Sequence, residues 1–272
     1  MSGIGWPLVL ELLLLGTFTG FMAGLLGVGG GMMMVPFMTW ILGSRGVEPG
    51  AAVKMAIATS MATILFTSIA SVRAHHARGA VRWDLVRGLA PGIVAGGLAS
   101  GAGLFSVLRG QGLALFFAVF IGFSATQMLL DRKPAPSRQM PGPWAQGTVG
   151  AGIGLVSGLV GAGGAFLSVP FMTWCNVPIR HAVGTSAALG FPIALANTAG
   201  YVIAGWALAP ALPGAMGYLY LPALALIALA STTMAPLGAR VAHRTDVARL
   251  KRVFALVLFG LATYMATQAF RG

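Results

Sequence analysis

Apolar residues fill long blocks of this chain, and polar residues are scattered within the blocks or gathered in the breaks between them. The blocks cover about 7–26, 32–42, 51–72, 85–105 and 110–130, then 145–160, 165–175, 182–205, 218–239 and 250–269. A strict polar/apolar alternation, the mark of a membrane barrel, is missing, so the blocks predict helices. A helix needs about 20 residues to cross the hydrocarbon core. The blocks 32–42 and 165–175 hold about 11 residues and reach only about 17 Å at 1.5 Å per residue. Each short block follows a glycine-rich break. The pattern predicts a re-entrant or discontinuous helical hairpin at each of these places, and the two forms have the same parity of crossings.

The chain is written twice. Residues Gly20–Trp40 (GFMAGLLGVGGGMMMVPFMTW) match Gly154–Trp174 (GLVSGLVGAGGAFLSVPFMTW), the residue numbers differing by 134. Lys54, Thr59 and Ser60 match Arg180, Thr185 and Ser186, differing by 126. Pro91 and Ser100 match Pro222 and Ser231, and Phe117-Ala118 and Ala125-Thr126 match Phe254-Ala255 and Ala262-Thr263. Four matches in one order imply two homologous halves, 1–131 and 145–272, joined by the proline-rich linker 132–144 into one integrated membrane domain.

Composition sharpens the class. The chain has 272 residues, 57% of them hydrophobic and 8% charged, with 40 glycines. Mean hydropathy is +0.86. A soluble domain carries about 25% charged residues, so this is an integral membrane protein. The net charge of +12 orients the spans and does not point to nucleic acid. Three connections are strongly basic: Arg73, Arg78, Arg82 and Arg87; the linker with Arg132, Lys133 and Arg138; and Arg240, Arg244, Arg249, Lys251 and Arg252. The positive-inside rule makes all three cytoplasmic. The connection from Trp206 to Tyr218 lacks Lys and Arg, and Arg109 stands alone in a short turn, which suits the outside. The basic connection that follows the third block of the first half has an uncharged counterpart in the second. The halves are therefore predicted to be inverted with respect to the membrane, an arrangement found in many secondary transporters. The first block lacks the basic start and cleavage site of a signal peptide and is expected to be retained. The single cysteine, Cys175, excludes an internal disulfide and a cysteine-based metal cluster.

The duplicated glycine motif is the strongest chemical signal. Non-helical backbone at membrane depth must be buried in protein or line a wet cavity. Each run precedes a short helix whose first N–H groups lack partners and carry partial positive charge. Two inverted copies would aim these ends at the midplane and form an anion site from backbone alone. Gly29, Gly30 and Gly31 in one half and Gly163 and Gly164 in the other are its candidate residues, with Gly27, Gly161, Pro36 and Pro170 shaping the hairpins. Close helix packing is the plain reading of any single glycine run; duplication, with Val-Pro-Phe after each run, favours the site. Thr59, Ser60, Thr185 and Ser186 can donate hydroxyls to an oxyanion, or can bond back to a helix carbonyl. Asn197, three turns beyond Ser186, can line the path or bond a neighbouring helix. Inversion sets Lys54 near the outer face and Arg180 near the inner face, where each can attract an anion or simply snorkel.

Carboxylates are scarce. Asp84, Asp131 and Asp246 lie at cytoplasmic block ends, and Glu11 lies in an apolar run close to its outer end. Coupling through an internal carboxylate is not expected. His75-His76 reads as part of a basic connection. The Met32–Met34 run has no counterpart in the second copy and reads as packing. No buried His, Cys or carboxylate constellation suggests an enzyme, a metal or a cofactor.

The duplicated Gly-Leu-x-Gly-x-Gly-Gly with its following Val-Pro, together with Val183-Gly184-Thr185-Ser186, resembles the TauE/SafE sulfite-exporter family, also called the toluene-sulfonate uptake permease family. The first copy departs from it slightly, with Ala58 before Thr59-Ser60. The resemblance covers nearly the whole chain. It implies a bacterial inner-membrane carrier of sulfite, sulfoacetate or other sulfonates, or of small carboxylates. An anion channel with the same site is the alternative. The expected fold is an all-α polytopic membrane protein of two inverted repeats, five helical segments each, with re-entrant or broken glycine-rich hairpins. A homodimer is plausible from small-residue faces such as Gly92, Gly96, Gly97, Ser100 and Gly101, which can equally pack within one chain.

Overall fold

The computed structural model describes residues 5–26, 30–130, 138–242 and 247–270. Gly27 and Gly29 of the first motif, and Arg132, Lys133, Arg244, Asp131 and Asp246, lie outside the described residues. The first half contains α1 (Trp6–Leu26), α2 (Gly31–Ser44), α3 (Pro49–His76), α4 (Trp83–Val107) and α5 (Gly110–Leu130). The second contains α6 (Pro143–Val160), α7 (Ala165–Trp174), α8 (Ile179–Gly205), α9 (Leu221–Ala242) and α10 (Val247–Ala269). Seven helices among the described residues are long and apolar enough to cross a bilayer, while α2 and α7 are short. The protein is an all-α, multi-pass membrane protein.

Local chemistry sets the helix ends. Glu48 precedes α3, and its carboxylate accepts from the N–H groups of Gly50 (3.0 Å) and Ala51 (2.8 Å). Pro49 then occupies the first position, where no intrahelical N–H is needed. Gly161 ends α6 at φ +67°, the left-handed conformation in which glycine is favoured. Gly164 (φ +74°) starts the next helix. Within α4, residues Ala99–Leu104 form a π-helical turn, which the apolar pattern does not announce. The uncharged connection carries a further unannounced feature, a two-residue ladder of β1 (Ala215–Met216) against β2 (Leu219–Tyr220).

Both short helices fold back beside their predecessors. Arg45, just after α2, donates to Glu11 in the second turn of α1 at 2.8 Å. Phe18 and Phe37 meet edge-to-face at 6.2 Å. In the second half, the Arg138 N–H donates to the Trp174 carbonyl at the end of α7 (3.3 Å), and the Arg138 guanidinium lies 4.6 Å from the Trp174 ring. Each hairpin thus returns to the level at which it began.

The two halves interlock. α1 packs along α9 and α6 along α4, so each half's first helix lies against the other half's fourth. α3 pairs with α8, and α5 with α10. Glycine lets these backbones approach. A Cβ at Gly20 or Gly24 would collide with the backbone of Ser231 or Ala235, and one at Gly92 or Gly96 with that of Gly147 or Ala151. Gly97 faces the side-chain amide of Asn197, and Gly101 its backbone carbonyl. The small-residue face of α4 is therefore filled within the chain by α6 and α8. Met32, Met33 and Met34 are all buried in an apolar core that draws on both halves.

Candidate functional site

The hairpin tips meet in the interior. A Cβ at Gly31 would stand 2.5 Å from the Gly161 carbonyl oxygen and 3.2 Å from the Ala162 Cα. Ser60 on α3 donates to that carbonyl at 3.1 Å. The structure thus brings Gly31, Ser60, Gly161 and Ala162 together. At the helix starts, the Gly30 carbonyl accepts from Met33 and Met34, and the Gly164 carbonyl from Leu167 and Ser168. By helix geometry, the first N–H groups of each short helix have no intrahelical acceptor. The atoms nearest the tips otherwise belong to Thr19, Val35, Ile57, Ile64, Ile153, Ser157 and Ile193. The surroundings are neutral and mostly apolar, so backbone dipoles act with little screening.

The remaining residues chosen from sequence divide into groups. Gly163 faces Ile64, with Gly190 beyond it on α8. Ser168 Oγ lies 2.7 Å from Ser186 Oγ and 3.0 Å from the Gly164 carbonyl oxygen, and its one hydrogen serves either of them. Ser186 therefore joins the second tip. Thr59 and Thr185 do not bond back to their own helices. Thr59 Oγ1 accepts from the N–H of Tyr220 (3.0 Å), and Thr185 Oγ1 from the N–H of Arg82 (3.0 Å). Each hydroxyl keeps a hydrogen that it can donate.

Lys54 and Arg180 lie away from the tips. Lys54 is 9% exposed. Its ammonium lies 5.4 Å from the Tyr218 ring and 5.6 Å from the Phe105 ring, and donates to the Ser106 carbonyl at 3.4 Å. Arg180 donates to the Arg78 carbonyl at 2.5 Å. Asn197 is fully buried; its amide donates to the carbonyls of Ile193 (2.9 Å) and Gly154 (3.3 Å). Asn197 Oδ1 has no hydrogen-bond partner among the described residues, and neither does the hydroxyl of Ser100. Both flank Gly158, whose carbonyl accepts from buried Tyr201. Buried polar atoms left open in this way mark where water or a polar ligand group completes the bonding.

Sequence reading missed Ser157 and Ser168. Ser157 Oγ is buried without a partner among the described residues, and it would lie 3.1 Å from a Cβ at Gly164. The first copy has Ala23 and Met34 at these positions, so a search for duplicated residues passes over them. A hydroxyl one turn before Gly161 was the available signal. Pro36 and Pro170 lie inside α2 and α7. Lacking an N–H, they cannot supply the bond to the carbonyls of Met32 and Phe166. Glu11 is held in the ion pair with Arg45, and Asp84 pairs with Arg82 at 2.6 Å. His76 Nδ1 accepts from the Trp83 ring N–H at 3.2 Å, and no group of metal-ligating side chains occurs among the described residues.

Comparison with known proteins bears on the same architecture. No solved structure matches the chain. A probable membrane transporter protein of Haemophilus influenzae is 34% identical over 259 residues, covering 94% of this chain and 97% of the relative. One from Methanocaldococcus jannaschii is 24% identical over 267 residues, covering 93% and 94%. The probable membrane transporter protein YdhB of Bacillus subtilis is 26% identical over 211 residues, covering 73% and 79%. The family model for the sulfite exporter TauE/SafE matches residues 12–265. The chain is a membrane transporter and belongs to the sulfite exporter TauE/SafE family.

Proposed function

We propose that the protein is a secondary carrier of small sulfur-containing anions, such as sulfite, sulfoacetate or other sulfonates, across a bacterial inner membrane. The anion is held at the meeting point of the glycine tips by open N–H groups at the starts of α2 and α7, with Ser60, Ser186 and the free hydroxyl hydrogens of Thr59 and Thr185 beside them. Transport proceeds by alternating access between two inverted halves.

The contact of Gly31 with Gly161 and Ala162, bridged by Ser60, carries this reading. It sets the start of α2 against the Gly161–Ala162 turn that leads into α7, so the α2 start and the approach to the α7 start share one neutral place, a setting suited to an anion held without a fixed charge. Inversion is supported by the pairing of α3 with α8. Ser68 lies near Gly190, and Arg180, at the start of α8, reaches Arg78 beyond the end of α3. The pair is antiparallel, so Lys54 and its repeat counterpart Arg180 stand at opposite ends.

The test is flux in proteoliposomes of purified protein, with labelled sulfite and sulfoacetate, and acetate as the carboxylate comparison. Saturable, protein-dependent sulfite or sulfonate flux is the expected result. Flux of none of these anions would sink the substrate assignment, and unsaturable flux would indicate a channel.

A further inference from the structure

Two hydrogen bonds related by the sequence repeat cross between the halves. The Tyr220 N–H, immediately before α9, donates to Thr59 on α3 (3.0 Å). The Arg82 N–H, immediately before α4, donates to Thr185 on α8 (3.0 Å). Thr59 and Thr185 are repeat equivalents and both are fully buried. α4 and α9 are likewise equivalents. Each third helix therefore ties down the entry of the other half's fourth helix.

The surroundings repeat the plan with different chemistry. Five residues before Thr59, the Lys54 ammonium packs against Tyr218, in the stretch leading to α9. Five residues before Thr185, Arg180 donates to the Arg78 carbonyl, and His181 Nδ1 lies 3.3 Å from the Ala80 carbonyl. Gly184 lets α8 approach Ala80, where a Cβ would fall 2.6 Å from the Ala80 oxygen. The stretch 78–82 belongs to a basic connection, and 218–220 follows the uncharged one. The two clasps are displaced toward opposite ends of the antiparallel α3–α8 pair, since Thr59 and Thr185 each stand in the first half of their helices.

We propose that Thr59 and Thr185 are the latches of two opposite gates, Thr59 closing the outer side through Tyr220 and Thr185 closing the inner side through Arg82. This rests on the alternating-access reading. Both latching hydrogen bonds are made in this structure, so on this proposal both gates stand closed in it. Opening either side requires one third helix to part from the other half's fourth, and the latch on that side breaks while the other holds. The threonines are positioning residues in this role, since they act by holding the backbone of the gate.

Side-specific labelling in proteoliposomes tests the proposal. Ala223 and Leu85 are buried one turn into α9 and α4. Each is replaced singly by cysteine in a Cys175→Ala background and exposed to a membrane-impermeant maleimide from one side at a time. Thr59→Val should raise outer labelling of Ala223→Cys by about fivefold, the population change that follows loss of one ordinary hydrogen bond, and leave Leu85→Cys unchanged. Thr185→Val should do the reverse from the inside. Thr59→Ser and Thr185→Ser keep the hydroxyl and should label as the parent does. Unchanged labelling in both valine variants, or equal increases at both sites, would overturn the proposal. Should the valine variants not fold, amide hydrogen exchange on the parent decides. Protection of the Tyr220 and Arg82 amides supports the latches, and rapid exchange at both overturns them. Side-specific labelling with no anion flux in the parent would support the latches while removing the substrate assignment; normal flux in the parent with unchanged labelling in the valine variants would remove the latches alone.

Discussion

Gly31 has no room for a side chain on the face it turns to the other half. The nearest atom to a Cβ there is the Gly161 carbonyl oxygen at 2.5 Å, backbone that cannot swing aside. Gly43, on the same helix, has nothing within 4 Å of such a Cβ. The pair separates helix propensity from tip contact. Gly31→Val should lower transport by about fivefold or more, since overpacking costs about 1–3 kcal/mol in the state where the tips meet and each 1.4 kcal/mol is about tenfold. Gly43→Ala should transport as the parent does. Flux in proteoliposomes, with folding checked by size-exclusion elution, measures both; equal activity in the two variants would show that the tip contact is dispensable. The glycine itself was legible in sequence because it adjoins the duplicated Gly-x-Gly-Gly motif, although its own repeat counterpart is Ala165. The role of Thr59 was not, because its partner is a backbone N–H 161 residues away, and side-chain spacing carries no trace of such a donor. Ser157 escaped for the opposite reason: it lacks a duplicate, and duplication was the filter.

Among the elements, the short helices were the most legible, since 11 apolar residues cannot cross a membrane. Their return direction was not legible from charge, because zero or two crossings leave the same parity. It becomes visible through Glu11 with Arg45 and through Arg138 with Trp174, pairs that close 34 and 36 residues of chain. Glu48 was also hidden. It lies in a polar break that reads as an ordinary connection, yet both of its carboxylate oxygens cap α3. α3 carries Lys54, Thr59 and Ser60, so its first turn sets where these side chains stand. Glu48→Ala should lower stability by about 1 kcal/mol, the usual cost of a lost N-cap, while Glu48→Asp, which restores a capping acceptor, should recover most of it. Chemical denaturation of the detergent-solubilised protein checks this; an unchanged midpoint in Glu48→Ala would show that the cap is redundant with Pro49.

For the molecule as a whole, charge and contact geometry converge from independent directions. The basic connections orient the chain through the positive-inside rule, which uses no structure. The exchange of helix partners, α1 with α9 and α6 with α4, uses no charge. Both suit the proposed halves of opposite sense, which would set the 206–218 connection on one side and the 73–87 connection on the other. A reporter cysteine at Trp206, which is 77% exposed, should therefore react with an impermeant maleimide only from outside the cell. One at Arg78 should react only after the membrane is made permeable. Cys175 is buried, and replacing it by alanine removes the remaining background. Labelling of both reporters from the same side would break the inversion, and with it the symmetry that makes Lys54 and Arg180, or Thr59 and Thr185, opposite numbers at two mouths. If the reporters label from opposite sides, a single anion site at the tips becomes reachable by equivalent movements in either direction. Import and export then differ only in which gradient is supplied, so flux measured with the anion gradient reversed should proceed through the same Gly31-dependent step.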